Sequence, residues 1–259
     1  MTHILVLSIV MVVYLHLWFL LSIIRKNFGL VDIAWGLSYV VIVWTVFIQT
    51  QTITTASILM LVFVTLWGLR LTYYLFLRNW TKPEDYRYVN MRKNWGKHPN
   101  LHAYIKVFYF QILLASVISL PIQSVFYVTE GNEWYHLLIL GFGILLFIIG
   151  FAFESISDAQ LKRFKSLPEN KGKIMDKGLW AYTRHPNYFG DFVIWISYFV
   201  IMIYSLDIRY IFAIIGTFIM GYLLRYVSGV PLLEKRFKDD SQYQTYAERT
   251  PIFFPKLKK

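Results

Sequence analysis

Cysteine is absent from the 259 residues. That excludes disulfides, a thiolate nucleophile and any cysteine-held zinc site. Charge is scarce as well: Asp, Glu, Lys and Arg make up 16% of the chain, against 57% hydrophobic residues and 19% aromatic ones. Such a chain has too little polar material to cover a soluble domain. The Walker phosphate loop, the Gly-x-Ser-x-Gly elbow and the Gly-x-Gly-x-x-Gly turn are all missing, so a nucleotide cofactor would bind outside the Rossmann arrangement. His98, His102 and His136 lack a metal spacing such as His-Glu-x-x-His, and no metal site is expected. No internal repeat or low-complexity segment is visible. No short basic leader with a cleavage site precedes Ile4, so the first apolar run is expected to be a retained helix.

What is present in abundance is long apolar sequence. Seven runs, at roughly 4–24, 29–49, 54–77, 104–127, 134–154, 187–206 and 208–227, are each long enough to cross about 30 Å of hydrocarbon at about 1.5 Å per residue. The expected fold is an all-α polytopic membrane bundle of about seven transmembrane helices, a single integral domain over 1–259. Only Leu206-Asp207 separates the last two runs, which implies a tight helical hairpin.

Charge in the connections supports an odd number of spans. The segments after the first, third, fifth and seventh runs carry Arg25 and Lys26, Arg78 to Lys97, Lys162 to Arg184, and Lys235 to Lys259. The remaining connections hold no charge (Gln49 to Thr55), two acids (Glu130 to Glu133), or Asp207 with Arg209 nearby. By the positive-inside rule the basic segments are cytoplasmic and the N-terminus is outside. The net charge of +11 is then explained by membrane lipids as partners, without nucleic acid. The three long polar segments, 78–102, 158–186 and 229–259, share that side, so an active site is expected to face the cytoplasm.

Ionisable residues at membrane depth are costly, and each is a functional candidate by default. Asp32, Trp35, Gly36 and Tyr39 fall on one face of the second run, and Trp67, Arg70, Tyr74 and Arg78 on one face of the third. Glu154, Asp158 and Lys162 descend in steps of four along the fifth, Asp191 sits one turn into the sixth, and Arg225 ends the seventh. These groups either pair with one another, Asp32 with Arg70 for instance, and fix packing, or line one polar cavity open to the cytoplasm. His16 reads as a satisfied packing histidine.

The densest polar cluster is Gly178-Leu-Trp-Ala-Tyr-Thr-Arg-His-Pro-Asn-Tyr-Phe-Gly-Asp191. Pro186 holds His185 out of helical geometry, so a helix is expected to begin near Asn187, with Arg184, His185, Asn187 and Tyr188 at its first turn. Open backbone N–H groups there suit a phosphate or carboxylate; a basic loop holding lipid headgroups is the plainer reading. The segment Val230–Pro255 is basic and amphipathic, with Leu233, Phe237, Tyr243 and Tyr246 as apolar anchors. It suits an interfacial helix, a lid over a site, or both.

The chain resembles the steroid 5-alpha-reductase family in its broad sense, in particular its bacterial membrane branch. Four blocks carry the likeness: Val31 to Leu37; Trp67 to Leu71 continuing through Arg78-Asn79 and Glu84 to Tyr88; Gly178 to Asp191; and Ser228 to Glu234 onward to Pro255. The string Arg-His-Pro-Asn-Tyr-x-Gly-Asp is similar to that of sterol C14- and C7-reductases. Its shorter form, Arg-His-Pro-x-Tyr, is similar to isoprenylcysteine carboxyl methyltransferases and phospholipid N-methyltransferases. The resemblance implies a bacterial cell-membrane enzyme, with a reductase-like part over about 104–259, that binds NADPH and reduces a carbon–carbon double bond. Its substrate would be a hydrophobic small molecule or lipid. It also implies that Asn187 and Asp191 hold the nicotinamide side and that Arg70, Asp158 and Lys165 surround the cofactor, with Tyr182, Arg184 and Glu234 in the matching blocks. Steroid reductases polarise the substrate ketone with a Glu on the second helix and a Tyr on the third, for which the nearest counterparts here are Asp32 and Trp67. Trp donates a hydrogen bond but supplies no proton. Asp32, kept protonated in an apolar cavity, is the candidate acid, with Tyr39 or Tyr74 as alternative donors. Two other readings stand beside this one: an S-adenosylmethionine-dependent methyltransferase of a lipidated or lipid acceptor, and a non-catalytic membrane protein. The tight Glu-Glu pair usual in the methyltransferases is missing, since Lys235 follows Glu234.

Overall fold

The computed structural model describes residues 2–129, 131 and 133–256. Glu130 of the acidic connection, and Lys258 and Lys259 of the last basic segment, lie outside the described residues. The protein is all-helical: 79% of it is helix and the described residues contain no strand. Among the described residues, seven helices are long and apolar enough to cross a membrane: His3–Ile24, Leu30–Thr50, Thr55–Asn79, Pro99–Ile118, Trp134–Ser166, Pro186–Ser205 and Ile208–Glu234. The chain packs as two compact units, one formed by residues 1–130 with 207–213 and the other by residues 131–206 with 214–259.

Several boundaries differ from the hydropathy reading. The fourth span begins earlier, at Pro99, which opens a helix after His98 in a non-helical conformation, and it ends at Ile118. A separate short helix, Leu120–Ser124, follows because Pro121 occupies its first turn. The fifth helix continues to Ser166 instead of ending near 154. Hydropathy detects where hydrocarbon contact stops, whereas backbone hydrogen bonding carries a helix on into water. At 33 residues it is about 50 Å long, well beyond a hydrocarbon core of about 30 Å. The sixth helix opens at Pro186, after His185 with φ −136° and ψ 63°, one residue before the expected start. The hairpin between the sixth and seventh spans turns at Leu206, which adopts φ +56°.

In the first unit the second and third spans meet backbone to backbone at Gly36 and Gly68. A methyl group at Gly68 would lie 2.7 Å from the Gly36 carbonyl oxygen, so only hydrogen fits. The third span starts with a reciprocal cap: Ser57 N–H donates to Thr54 Oγ1 at 3.1 Å, and Thr54 N–H donates to Ser57 Oγ at 2.9 Å. A core of Leu15, Phe28, Val31, Tyr88, Ala103, Val107 and Phe108 joins the first, second and fourth spans to the short helix Tyr86–Asn94. His16 is satisfied, by the Val12 carbonyl at 2.7 Å and the Tyr104 hydroxyl at 3.0 Å. It lies on the exposed face of its helix, however, not in the packing.

In the second unit the fifth helix buries His136, Leu140, Gly143, Phe147, Gly150, Glu154 and Ser157. The alternating spacing of four and three is the seam of closely packed antiparallel helices. It is matched on the sixth span by Gly190, Ile194, Tyr198 and Ile201. Gly150 and Gly190 are the point of closest approach: a methyl on Gly150 would stand 2.7 Å from the Gly190 carbonyl oxygen, and one on Gly190 would stand 2.6 Å from the Glu154 amide nitrogen. Small residues at such crossings let membrane helices gain packing that hydrocarbon alone does not supply.

This crossing makes a direct prediction. Gly150→Ala forces the two backbones apart and is expected to cost about 1–3 kcal/mol. Gly141→Ala, on the same helix with no atom within 4 Å of the added methyl, is expected to gain about 0.5–1 kcal/mol from helix propensity. Unfolding midpoints of the two variants in detergent, relative to the parent, check the contrast.

Candidate functional site

The helix contact at Gly150 and Gly190 sets the site of the second unit. About one turn further along the fifth helix stands Glu154, and about two turns along stand Ser157 and Asp158, all buried. Across from them Asn187 donates an amide hydrogen to Asp158 Oδ1 at 3.3 Å, while its own amide oxygen accepts the Tyr188 N–H at 3.0 Å. Asp191 lies buried one turn on. The helix start is therefore less open than the sequence suggests. Pro186 has no N–H, that of Tyr188 goes to Asn187, and that of Phe189 goes to the His185 carbonyl. Lys165 is exposed on the part of the fifth helix that extends past these acids.

The loop before Pro186 is held by two sets of bonds. From the fifth helix, Gln160 Oε1 accepts the Leu179 N–H at 3.0 Å, and the Ser157 carbonyl accepts the Trp180 indole N–H at 3.1 Å. From the C-terminal segment, the Tyr246 hydroxyl donates to the Trp180 carbonyl at 2.5 Å. Arg184 N–H donates to the Pro251 carbonyl at 2.9 Å, Lys256 N–H to the Tyr182 carbonyl at 3.0 Å, and the Thr183 hydroxyl to the Phe253 carbonyl at 2.8 Å. The C-terminal residues run beside residues 182–184 and bond to each of them.

Held this way, Arg184 and His185 converge on Glu234. One oxygen, Glu234 Oε1, lies 3.0 Å from His185 Nε2, 3.4 Å from an Arg184 terminal nitrogen and 3.0 Å from the Tyr243 hydroxyl, which donates to it. His185 is 3% exposed and stacks on the Tyr188 ring. Burial and the Glu234 charge push the Tyr243 phenol above its ordinary value, so it stays a donor. Two polar atoms of this cluster, Arg184 Nε and His185 Nδ1, are buried and have no hydrogen-bond partner among the described residues.

The first unit holds the other candidates. Trp67 is fully buried, with its ring 5.5 Å from that of Tyr39, which in turn meets Trp35 at 5.4 Å. Tyr74 lies between the guanidinium groups of Arg70 and Arg78, each 5.5 Å from its ring centroid. Asp32 is paired with Arg87, not with Arg70 as in the packing reading above. Its carboxylate oxygens lie 3.1 Å from an Arg87 nitrogen and 2.8 Å from the Tyr88 hydroxyl, which donates to it. Burial works against the Arg87 charge, but Asp32 and Asp85 outweigh it and hold the guanidinium above its ordinary value. Burial, reinforced by the Asp32 charge, raises the Tyr88 phenol too. Next to this pair, Glu84 accepts the Phe28 N–H at 2.7 Å and two bonds from Arg92 at 2.9 and 3.3 Å, and the Arg92 guanidinium lies 3.8 Å over the Phe28 ring. The helix Tyr86–Asn94 is thereby fastened to the start of the second span.

Sequence reasoning placed His185 in the first-turn cluster suited to an anion and Tyr243 among the apolar anchors of an interfacial helix or lid, but it did not single out Arg87 or Tyr88. All four lie within the blocks that carry the family resemblance, but the partners of His185, Arg87 and Tyr88 are separated from them by 49 and 55 or more positions. Among the described residues no three His, Asp or Glu side chains gather as metal ligands would.

Residues 18–250 match the family described as "Protein of unknown function (DUF1295)". A probable O-methyltransferase, ustE, of Ustilaginoidea virens is 38% identical over 77 residues, 28% of this chain and 27% of that protein. The uncharacterized protein C594.04c of Schizosaccharomyces pombe is 27% identical over 226 residues, 74% of this chain and 61% of that protein. The 3-oxo-5-alpha-steroid 4-dehydrogenase 2 of Rattus norvegicus is 33% identical over 67 residues, 26% of each chain. The chain thus spans less than two thirds of the length of each of these relatives. No solved structure matches it.

The Asp32–Arg87 pair is open to a double-mutant cycle. Asp32→Asn leaves a guanidinium that is 30% exposed without its counter-charge and is expected to cost about 1–3 kcal/mol. Arg87→Gln in the same chain is expected to restore most of that loss, because no charge is then left alone. Thermal unfolding of the two single variants and the double variant reads the coupling; Arg70→Gln is expected to restore nothing.

Proposed function

The chain belongs to the DUF1295 family, the steroid 5-alpha-reductase-like family, and on that premise we propose that it is a membrane-embedded reductase using NADPH. It saturates a carbon–carbon double bond in a steroid-, terpenoid- or lipid-like molecule. The observation that carries this reading is the pair of buried nitrogens, Arg184 Nε and His185 Nδ1, that have no hydrogen-bond partner among the described residues. Buried polar atoms are rarely left so in a folded protein unless a ligand or water completes them. Side by side at the head of a helix, they fit the polar groups of a dinucleotide, with the Arg184 guanidinium suited to its phosphate oxygens.

Bound NADPH would supply the hydride. The chain supplies the rest. Arg184 and His185 hold the phosphate end, with Lys165 and Tyr182 as further cofactor contacts, and Glu234 fixes the orientation of both side chains. Asn187, braced by Asp158, and Asp191 hold the nicotinamide side. Asp32, Trp67 and Tyr74 are assigned to the substrate. An Asp32 carboxylate already shared between Arg87 and Tyr88 is suited to orienting its neighbours, and proton delivery falls to a phenol, Tyr74 first. In keeping with the positive-inside rule, the site opens to the cytoplasm and the N-terminus lies outside. Likeness to the steroid dehydrogenase of Rattus norvegicus supports a reductase. Likeness to the probable O-methyltransferase supports a second reading, transfer of a methyl group from S-adenosylmethionine.

A ligand that binds only the native state raises its apparent stability, by about 2.7 kcal/mol at a hundred times the Kd. Purified protein in detergent is expected to unfold at a higher temperature with NADPH and at an unchanged one with S-adenosylmethionine. The opposite result replaces the reductase by the methyltransferase. Arg184→Ala is expected to weaken NADPH binding by about 1.5–3 kcal/mol, the range for a hydrogen bond to a charged group, as read by the loss of that thermal shift.

A further inference from the structure

We propose that Tyr243, on the C-terminal helix Ser241–Arg249, is a positioning residue that sets Arg184 and His185 through Glu234; its bearing on cofactor affinity rests on the reductase reading above. Three donors meet at the single atom Glu234 Oε1: the Tyr243 hydroxyl, His185 Nε2 and an Arg184 terminal nitrogen. An oxygen with two lone pairs serves three partners only when each is held at its own angle. Moving one therefore re-aims the others.

Tyr243 is itself held from both sides. Its ring stacks on Phe237, with centroids 4.8 Å apart and planes 18° apart, and meets Tyr246 edge-on at 5.8 Å. The start of its helix is capped by Asp240, whose carboxylate accepts the Gln242 and Tyr243 N–H groups. Tyr246, about five-sixths of a turn further along at about 3.6 residues per turn, bonds the Trp180 carbonyl. The helix thus holds the loop before Pro186 at its backbone through Tyr246 and its charged side chains through Tyr243. Among the described residues the Tyr243 hydroxyl makes no other hydrogen bond, and the stacking holds the ring without it. Arg184 Nε and His185 Nδ1, the two atoms without a hydrogen-bond partner among the described residues, belong to the same two planar groups whose outer nitrogens rest on Glu234. Their aim is what the Tyr243 hydroxyl controls.

The test uses Tyr243→Phe in the full-length protein, which keeps the stacked ring and removes only the oxygen. In protein labelled with 15N-histidine, the His185 imidazole signals, assigned by their disappearance in His185→Asn, are expected to shift in Tyr243→Phe even without cofactor. The unfolding temperature is expected to remain that of the parent. NADPH affinity is expected to fall about tenfold, which corresponds to one shared hydrogen bond. Glu234→Gln is expected to lower it at least as much, and adding Tyr243→Phe to Glu234→Gln to lower it no further, because both act through the same atom. Unmoved His185 signals in Tyr243→Phe overturn the proposal, as do additive losses in the double variant. If the parent fails to bind NADPH while the signals still move, the cofactor reading fails and the positioning role of Tyr243 stands.

Discussion

The backbone contact between Gly150 and Gly190 is the constraint on which the second unit depends. Helices that touch with no side chain between them have their relative height and rotation set within narrow limits, since a single methyl group on either side would overlap a carbonyl oxygen or an amide. With that register set, Asp158 faces Asn187 and the acids of the fifth helix stand beside the first turn of the sixth. The glycine in Asn187-Tyr-Phe-Gly-Asp191 thus has a packing role, and the polar residues around it take their positions from the contact it permits. Gly36 and Gly68 do the same for the second and third spans of the first unit.

Both units also fasten polar segments onto helix ends by buried or half-buried charge. In the first, Glu84 and Asp32 draw the helix Tyr86–Asn94 onto the start of the second span through Phe28 N–H, Arg92, Arg87 and Tyr88. In the second, Glu234 gathers Arg184, His185 and Tyr243, and the backbone of residues 182–184 bonds to the C-terminal segment. A carboxylate that accepts several hydrogen bonds at a membrane boundary orders the segments that donate them, at the expense of its own freedom to act as an acid. This is why Asp32 fits an orienting role, and why the C-terminal segment is a clasp on the motif loop and not a loose cover.

Much of the architecture was legible in the chain. Seven spans, the hairpin at Leu206-Asp207, the break at His185-Pro186 and the polar face of the fifth helix follow from hydropathy, proline geometry and steps of three and four residues. Boundaries differ where apolar sequence and helix part company: the fifth helix runs on past its apolar stretch to Ser166, and the fourth run is cut at Ser119 by the proline that starts the next helix. The expected partner of Asp32 was a cation within the neighbouring span, because periodicity places residues on faces but says nothing about a loop folding back over the end.

By itself the sequence determined that this is a membrane protein of seven helical spans, and that Gly178 to Asp191 is its densest polar stretch, because burial of apolar surface and the backbone demands of proline act over a few residues. Only the tertiary structure decided that Arg87 and not Arg70 answers Asp32, that Tyr243 shares an oxygen with His185, and that two nitrogens of Arg184 and His185 are left buried without a hydrogen-bond partner among the described residues. Those outcomes depend on which distant side chains arrive at the same point. Hydrogen bonds and ion pairs act over about 3 Å, and no pattern along the chain encodes a meeting between residues 49 or 55 positions apart.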